Sequence, residues 1–160
     1  MTFRVLPLPI EPFERYATLT EVELAAAGVL RCVVDASPGY PCRVSLADAA
    51  LGEAVFLLNF THHDVASPYR ASGPIYVRAN ARPAVLEPGT VPESLTRRLL
   101  SVRAYDAGSL MVSAEVVDGA AVAKTLLQQF QNPRVEYIHL HNARPGCFAA
   151  AVVRCQKPDA

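Results

Sequence analysis

The chain has 160 residues, 51% of them hydrophobic, which fits one domain spanning residues 1–160 with enough apolar side chains for a core. Its 15 Lys and Arg balance 15 Asp and Glu, so the formal net charge is zero and there is no overall positive field. Such a field draws proteins to nucleic acid or to anionic membranes, so we expect neither as a partner.

The compartment is predicted from the thiols and the hydrophobic runs. No C-x-x-C pair occurs among Cys32, Cys42, Cys147 and Cys155, which argues against a zinc ribbon or a thioredoxin-type site. No apolar stretch is long enough to cross a bilayer, and the first residues lack an apolar run with a cleavage site. We therefore expect a cytoplasmic protein with free thiols.

The first half of the chain predicts strands around one short helix. Thr20 and Glu23 have the spacing of a capping box, and Gly28 is placed to end the helix that they start. Ala54–Phe60 is apolar on both faces, which indicates a central strand covered on both sides. Further strands are predicted at Thr2–Leu6, Leu30–Val34 and Ile75–Ala79, with a polar loop at His62–Ser72.

The second half predicts two hairpins and a second helix. Asp118 is a capping residue for a helix that runs to Phe130. The hairpins are Leu99–Tyr105 with Leu110–Val117, and Val135–His141 with Cys147–Cys155. Strands joined mostly by hairpins predict an α+β domain, in which two or three short helices cover a mostly antiparallel sheet.

The last hairpin carries two histidines at alternate positions. Tyr137, His139 and His141 share one face of their strand, because alternate residues of a strand point the same way. Pairing across a five-residue loop puts His141 opposite Cys147 and His139 opposite Ala149. Large rings would then face small side chains, which leaves room for a helix or a ligand.

A metal site is one hypothesis for these histidines. His139 and His141 could present two imidazoles to one metal ion. A site would need a third ligand, and the candidates are His62, His63, Cys147, Cys42 and Glu53. Two hydrogen-bonded or surface histidines are the preferred interpretation, so no metal is assigned.

The segment Ser67–Arg78 is the most informative stretch of the chain. Ser67-Pro68 and Gly73-Pro74 predict turns on either side of three hydrogen-bond donors, Tyr69, Arg70 and Ser72. One interpretation is that Arg70 binds a carboxylate or phosphate of a ligand. The alternative is that Arg70 pairs with a carboxylate of its own chain, such as Glu53 or Asp64.

A third polar segment holds Cys42 beside Arg43. A cation next to a thiol lowers the pKa of the thiol in general, which favours a nucleophile. A small buried thiol is the preferred alternative for Cys42. The chain has no glycine-rich phosphate loop and no G-x-S-x-G motif.

Several of these motifs together resemble one protein family. They are Pro41–Leu46, Asp48-Ala49, Gly52-Glu53, Phe60-Thr61-His62, Ser67–Arg78, Tyr137-Ile138-His139 and Asn142–Cys147. The chain is similar over nearly its whole length to the small bacterial proteins catalogued as domain of unknown function 1203. The resemblance implies a stand-alone bacterial protein and brings no activity, cofactor or catalytic residue.

The residues favour a pocket that binds a small anionic or polar molecule. The same pocket could also be a catalytic site. In this hypothesis Arg43 and Arg70 bind charge, His62 or His139 acts as general acid or base, and Cys42 is a candidate nucleophile. The ligand would be oriented by Tyr69, Ser72 and Asn142, with Cys147 in the wall. The alternatives are a metal-assisted enzyme using His139 and His141, and a non-enzymatic interaction or oligomerisation module. No cofactor, substrate or oligomeric state follows from the sequence.

Overall fold

The structure, a computed structural model, describes residues 1–156. Within these residues it is a small α+β domain of eight strands and three short α-helices, as the sequence predicts. The strands are β1 Thr2–Leu6, β2 Leu30–Val33, β3 Ala54–His63, β4 Ala71–Arg78, β5 Leu99–Tyr105, β6 Met111–Asp118, β7 Tyr137–Asn142 and β8 Phe148–Cys155. The helices are α1 Glu21–Ala26, α2 Glu93–Thr96 and α3 Val122–Gln129, with 3-10 turns at Glu14–Thr18 and Gly119–Ala121.

The strands form two sheets, whereas the sequence predicts one. The larger sheet has the order β1-β8-β7-β5-β6 and the smaller one the order β2-β3-β4, and the strands of both sheets pair antiparallel. Leu126 of α3 packs with Leu100 and Ile138 on the larger sheet. Leu24 of α1 packs with Phe56 of the smaller sheet in a second core. Each sheet thus buries one face under its own helix, because a sheet with one apolar face is stable only when that face packs against another element.

The local signals for α1 and β3 are confirmed. The Thr20 hydroxyl accepts from the Glu23 amide, the Glu23 carboxylate accepts from the Thr20 amide, and Gly28 ends the helix with a left-handed φ of 69°. β3 is the central strand of the smaller sheet, with Phe56 buried in that sheet's core. The helix predicted for Asp118–Phe130 begins as a 3-10 turn, whose Ala120 amide is capped by the Asp118 carboxylate, and only then becomes α3.

The register predicted for the last hairpin is wrong. The loop between the strands is shifted by one residue, from 142–146 to 143–147, so His141 lies opposite Phe148 and not Cys147. A bulge between Leu140 and His141 adds one more residue to the shift, so His139 lies opposite Ala151. A bulge adds one residue to one strand, so it changes every pairing beyond it.

A second bulge interrupts the pairing of β3 with β4. Phe60 pairs with Gly73, but His63 pairs with Ala71, so β3 carries an extra residue at this point. The strands extend further than the sequence predicts, and the polar loop shrinks from 62–72 to 64–70. In residues 1–156 no helix has the length and apolar character needed to cross a membrane.

Candidate functional site

A cavity of about 870 Å³ lies between the outer face of the smaller sheet and the β7–β8 turn of the larger one. Its lining includes the guanidinium-bearing residues Arg43, Arg97, Arg98 and Arg144, and we call it the arginine cleft. The apolar part of the wall includes Leu57, Pro74, Tyr76 and Leu99. A volume of this size and a mostly apolar wall with a few convergent polar groups are typical of small-molecule sites.

Arg43 is the most deeply buried cation of the cleft, with 2% of its surface exposed. Its Nε donates to the Phe148 carbonyl at 2.7 Å, its Nη1 donates to the Pro41 carbonyl, and its Nη2 donates to Cys147 Sγ at 3.0 Å. No carboxylate of residues 1–156 forms an ion pair with it. Burial lowers the pKa of Arg43, although a guanidinium keeps its proton in proteins. The cleft therefore contains a buried positive charge without a carboxylate partner.

The other arginines of the lining differ in how their charge is balanced. Arg98 forms a two-pronged ion pair with the buried carboxylate of Asp48, at 2.5 and 3.0 Å. Arg97 pairs with Glu93 one helical turn earlier. Arg144 is exposed in the β7–β8 turn and has no ion-pair partner in the part of the chain that the structure describes. Among the lining arginines, Arg43 and Arg144 thus have no ion-pair partner in residues 1–156, and the Asp118 carboxylate also lines the cleft without an ion pair in these residues.

Two neutral polar side chains complete the wall. The Tyr76 ring lines the cleft, and burial raises the pKa of its hydroxyl, so the phenol stays protonated at neutral pH and can donate to an anion. Asn142 is 6% exposed and donates from Nδ2 to Cys147 Sγ at 3.4 Å. Its buried Oδ1 has no hydrogen-bond partner within residues 1–156.

All four histidines of the chain meet beside the cleft, in what we call the histidine cluster: His62, His63, His139 and His141, with Tyr105, Tyr137 and Phe148. Consecutive residues of a regular strand point to opposite faces. The bulge in β3 changes this, and both His62 and His63 contact His139, with ring centroids 6.2 and 4.7 Å away. The cluster and the cleft share the β7–β8 turn, because His141 and Phe148 belong to the first while their neighbours Asn142 and Cys147 line the second.

Hydrogen bonds determine the tautomer of His63. Its Nδ1 lies 2.7 Å from the Tyr69 carbonyl, which can only accept, so Nδ1 carries the proton. In the neutral ring Nε2 then accepts from the Tyr137 hydroxyl at 2.7 Å, and the Tyr137 oxygen accepts from the Ser109 hydroxyl at 2.9 Å. Ser109 has a φ of 58°, which is uncommon for a residue other than glycine. This network ties the 64–70 loop and the β5–β6 turn to the larger sheet.

Removing the Tyr137 hydroxyl is expected to destabilise the fold. Tyr137→Phe leaves His63 Nε2 without its partner, and the free energy of unfolding should fall by about 1–2 kcal/mol. Urea denaturation at pH 7 measures the change. Tyr69→Phe is the control, since the Tyr69 hydroxyl has no hydrogen-bond partner in residues 1–156, and it should change stability by less than about 0.5 kcal/mol. Equal effects from both variants would contradict the network.

Burial disfavours the charged forms of His62, His139 and His141. It lowers the pKa of His139 to about 3, helped by the neighbouring histidines and Arg103, and it lowers the pKa of His141 to about 4. Burial also lowers the pKa of His62. Within residues 1–156, His62 Nδ1, His139 Nδ1 and His141 Nε2 are buried without a hydrogen-bond partner. Neutral imidazoles fit this setting, because a charged ring would have to be desolvated.

The metal hypothesis receives no support from this geometry. His139 and His141 do lie on one face, with ring centroids 6.3 Å apart. Over residues 1–156, however, no three or more His, Cys, Asp or Glu side chains form a group that could hold a metal ion. The third ligand that such a site needs is not supplied by His62, His63, Cys42, Cys147 or Glu53.

Several predicted pocket residues lie elsewhere. Arg70 is exposed and pairs with Asp64 at 2.8 Å. This is the second of the two interpretations of Arg70, in which it pairs with a carboxylate of its own chain. An exposed pair of this kind contributes roughly 0–1 kcal/mol, so it does little to hold the loop. Tyr69 covers the histidine cluster through its contact with Tyr105, and Ser72 is exposed on β4. The prediction of a single cleft that includes this loop is therefore wrong.

The residues predicted from the other motifs lie in three different places. Arg43, Asn142 and Cys147 do converge in the arginine cleft. His62 and His139 lie in the histidine cluster and do not line the cleft. Cys42 is 2% exposed, and its sulfur accepts from the Ser45 and Arg78 amides at 3.4 and 3.3 Å. Cys42 is therefore a buried thiol that accepts backbone hydrogen bonds, which agrees with the preferred interpretation.

Sequence reasoning missed Tyr76, Arg97, Arg98 and Arg144 as parts of the cleft. Tyr76 lies on the face of β4 opposite the core residues Ile75 and Val77, and it contributes to the cleft wall. Arg144 belongs to the Asn142–Cys147 motif, so the motif could have indicated that Arg144 lies in the same site as Asn142 and Cys147. Arg97 and Arg98 enter only because the end of α2 packs beside the β7–β8 turn, which no local pattern indicates.

The fold and the cleft define a class: a small α+β domain with a positively lined pocket between two antiparallel sheets. The model of the family described as "Protein of unknown function (DUF1203)" matches residues 39–154. The chain belongs to this family, as the sequence motifs indicate. Comparison with curated proteins and comparison with solved structures each gave no match.

Proposed function

We propose that the chain binds a small anionic molecule in the arginine cleft. The observation that carries the proposal is Arg43, a guanidinium 2% exposed that has no carboxylate partner in residues 1–156 and lines a cavity of about 870 Å³. A buried cation without a counter-charge costs several kcal/mol of desolvation in proteins. An anion in the cleft would offset that cost, because a buried charge is stabilised when it is paired.

The rest of the lining fits a ligand that is anionic at one end and apolar at the other. Arg144 stands in the turn at the cleft with a free guanidinium, and Tyr76 offers a protonated phenol. Leu57, Pro74 and Leu99 provide the apolar surface. Arginine is suited to carboxylate and phosphate, because its planar group can donate two parallel hydrogen bonds.

A thermal-shift experiment tests the proposal. A panel of small monocarboxylates, dicarboxylates and phosphomonoesters is added to the parent protein, and at least one class should raise Tm by about 5–10 °C at one hundred times its Kd. Arg144→Ala should reduce that shift, since it removes an exposed charge of the cleft without touching the core. Arg4→Ala is the matched control, because Arg4 is an exposed arginine on β1 outside the cleft. No shift with any compound, or equal shifts in all three proteins, would contradict anion binding in the cleft.

The proposal includes a reducing compartment. Cys32, Cys42, Cys147 and Cys155 are all free thiols in the structure. Cys147 Sγ accepts the Arg43 and Asn142 hydrogen bonds, so the cleft as built contains a reduced sulfur. A cytoplasmic location, where thiols stay reduced, fits this requirement.

A further inference from the structure

Cys147 is the cysteine that faces the arginine cleft. Of the four free thiols in residues 1–156, it alone lines the cavity, and it is partly exposed. Its sulfur receives Arg43 Nη2 at 3.0 Å and Asn142 Nδ2 at 3.4 Å. A sulfur that two N–H donors approach is arranged as an acceptor, and Cys147 is at the same time part of the cavity wall.

The charge balance around Arg43 favours a nucleophilic sulfur. The guanidinium donates to two backbone carbonyls, of Phe148 and Pro41, and its remaining contact is Cys147 Sγ. The thiolate is the nucleophilic form of cysteine, and an adjacent cation stabilises it. No histidine donates to or accepts from this sulfur in residues 1–156. The guanidinium cannot accept a proton, so its effect on the sulfur is electrostatic stabilisation of negative charge and not general-base catalysis.

Asn142 provides an independent indication that the cleft takes a polar ligand. The side chain is 6% exposed and lines the cavity, while its Oδ1 is buried without a hydrogen-bond partner among the described residues. A buried amide oxygen left unpaired is costly, and such groups occur where a ligand or an ordered water completes the set. Asn142 thus donates to the sulfur, and its buried Oδ1 is an acceptor that a hydrogen-bond donor, from an ordered water or a ligand, would have to reach.

We propose that Cys147 is a nucleophile that attacks an electrophilic carbon of a small anion held in the arginine cleft, an inference that rests on the proposed anion binding. Sγ forms a bond to that carbon, and the bond from the carbon to its leaving group breaks, so the leaving group departs with the electron pair. The proton of the thiol goes to solvent when the thiolate forms. Arg43 lies against the attacking sulfur at 3.0 Å, and Arg144 attracts the anionic group of the ligand.

Competing alkylation by iodoacetate and iodoacetamide tests this inference. The two reagents deliver the same carbon and lose the same iodide, but only iodoacetate is an anion. The rate at each cysteine is read by mass spectrometry of the peptides. We expect the iodoacetate-to-iodoacetamide rate ratio at Cys147 to exceed the ratios at the partly exposed Cys32 and Cys155 by about tenfold, the factor that corresponds to 1.4 kcal/mol of attraction.

Variants of the rim and the unfolded chain provide the controls. Arg144→Ala should lower the rate ratio at Cys147 by several-fold, and Arg4→Ala should leave it as in the parent. In urea the ratios at the four cysteines should become alike, because the preference depends on the folded cleft.

Each outcome separates the inference from the proposed function. Slow reaction of Cys147 with both reagents, in a protein whose Tm still rises with small anions, would overturn the nucleophile and leave anion binding in place. Fast reaction of Cys147 without any preference for iodoacetate would overturn the inference as stated, because the ligand would not need to be anionic. If Tm also fails to respond to anions, both proposals fall together.

Discussion

Arg43→Met is expected to lower the free energy of unfolding by about 2–4 kcal/mol, because the Phe148 and Pro41 carbonyls each lose a charged donor in a buried setting. Methionine fills much of the volume and removes the cost of a buried charge, so the loss stays below the full value of the hydrogen bonds. Urea denaturation at pH 7, with no ligand present, measures the change.

The control for this variant is Arg4→Met, which removes a guanidinium from an exposed position on β1 and should shift stability by less than about 0.5 kcal/mol. A second comparison is Arg43→Lys, which keeps the positive charge but cannot make three separate contacts from one planar group. If Arg43→Met were as stable as the parent protein, the hydrogen bonds of the guanidinium would not exceed the free energy that its burial costs. That result would contradict a stabilising role for the contacts of Arg43 with the Phe148 and Pro41 carbonyls.

Lowering the pH from 7 to 5 is expected to cost the fold about 3–4 kcal/mol through His139 and His141. Their pKa values lie near 3 and 4 in the folded chain and near 6.5 when unfolded, so in this window only the unfolded state takes up protons. Stability therefore falls as the pH drops below about 6.5, and it stops falling once the pH passes the folded values. The lowered pKa of His62 acts in the same direction.

The pH range separates this effect from that of the carboxylates. Hydrogen bonds from Arg78 lower the pKa of Glu53 below its ordinary 4.5, so its contribution is fully present above pH 4.5 and is lost only below it. Urea denaturation at pH 7 and pH 5 measures the histidines alone. In His139→Gln the difference between the two pH values should shrink by about 2 kcal/mol, whatever the stability of the variant at pH 7. An unchanged difference would show that His139 is not a buried neutral imidazole.

Local sequence signals predicted the elements well. The capping box at Thr20 and the glycine at Gly28 correctly bounded α1, and the apolar run of Ala54–Phe60 correctly predicted a central strand. The two hairpins of the larger sheet were also correct as elements. These signals act between residues that are a few positions apart, so they are visible in the text of the sequence.

Long-range geometry was not visible in the same way. A bulge in the last hairpin changed the pairing of His139, and a bulge in β3 brought His62 and His63 into one cluster, although no residue type marks a bulge here. Each extra residue shifts every pairing beyond it, so an unrecognised bulge makes the predicted partners wrong. Tyr76 was not recognised as a cleft residue, because the β7–β8 turn that lines the same cleft lies far from it in the sequence.

By itself, the sequence determined the α+β class, the family and the polar motifs that contain Arg43, Asn142 and Cys147. Only the tertiary structure decided which of these motifs meet. Arg43 and Cys147 are 104 positions apart, and they touch because the β7–β8 turn packs against the segment before β3. Arg70 is paired with Asp64 on the surface instead, since six residues of separation let the loop satisfy its own charge. The two arginines differ in burial. Arg43 is buried and has no ion pair with a carboxylate of residues 1–156, whereas the charge of Arg70 is hydrated and paired with Asp64.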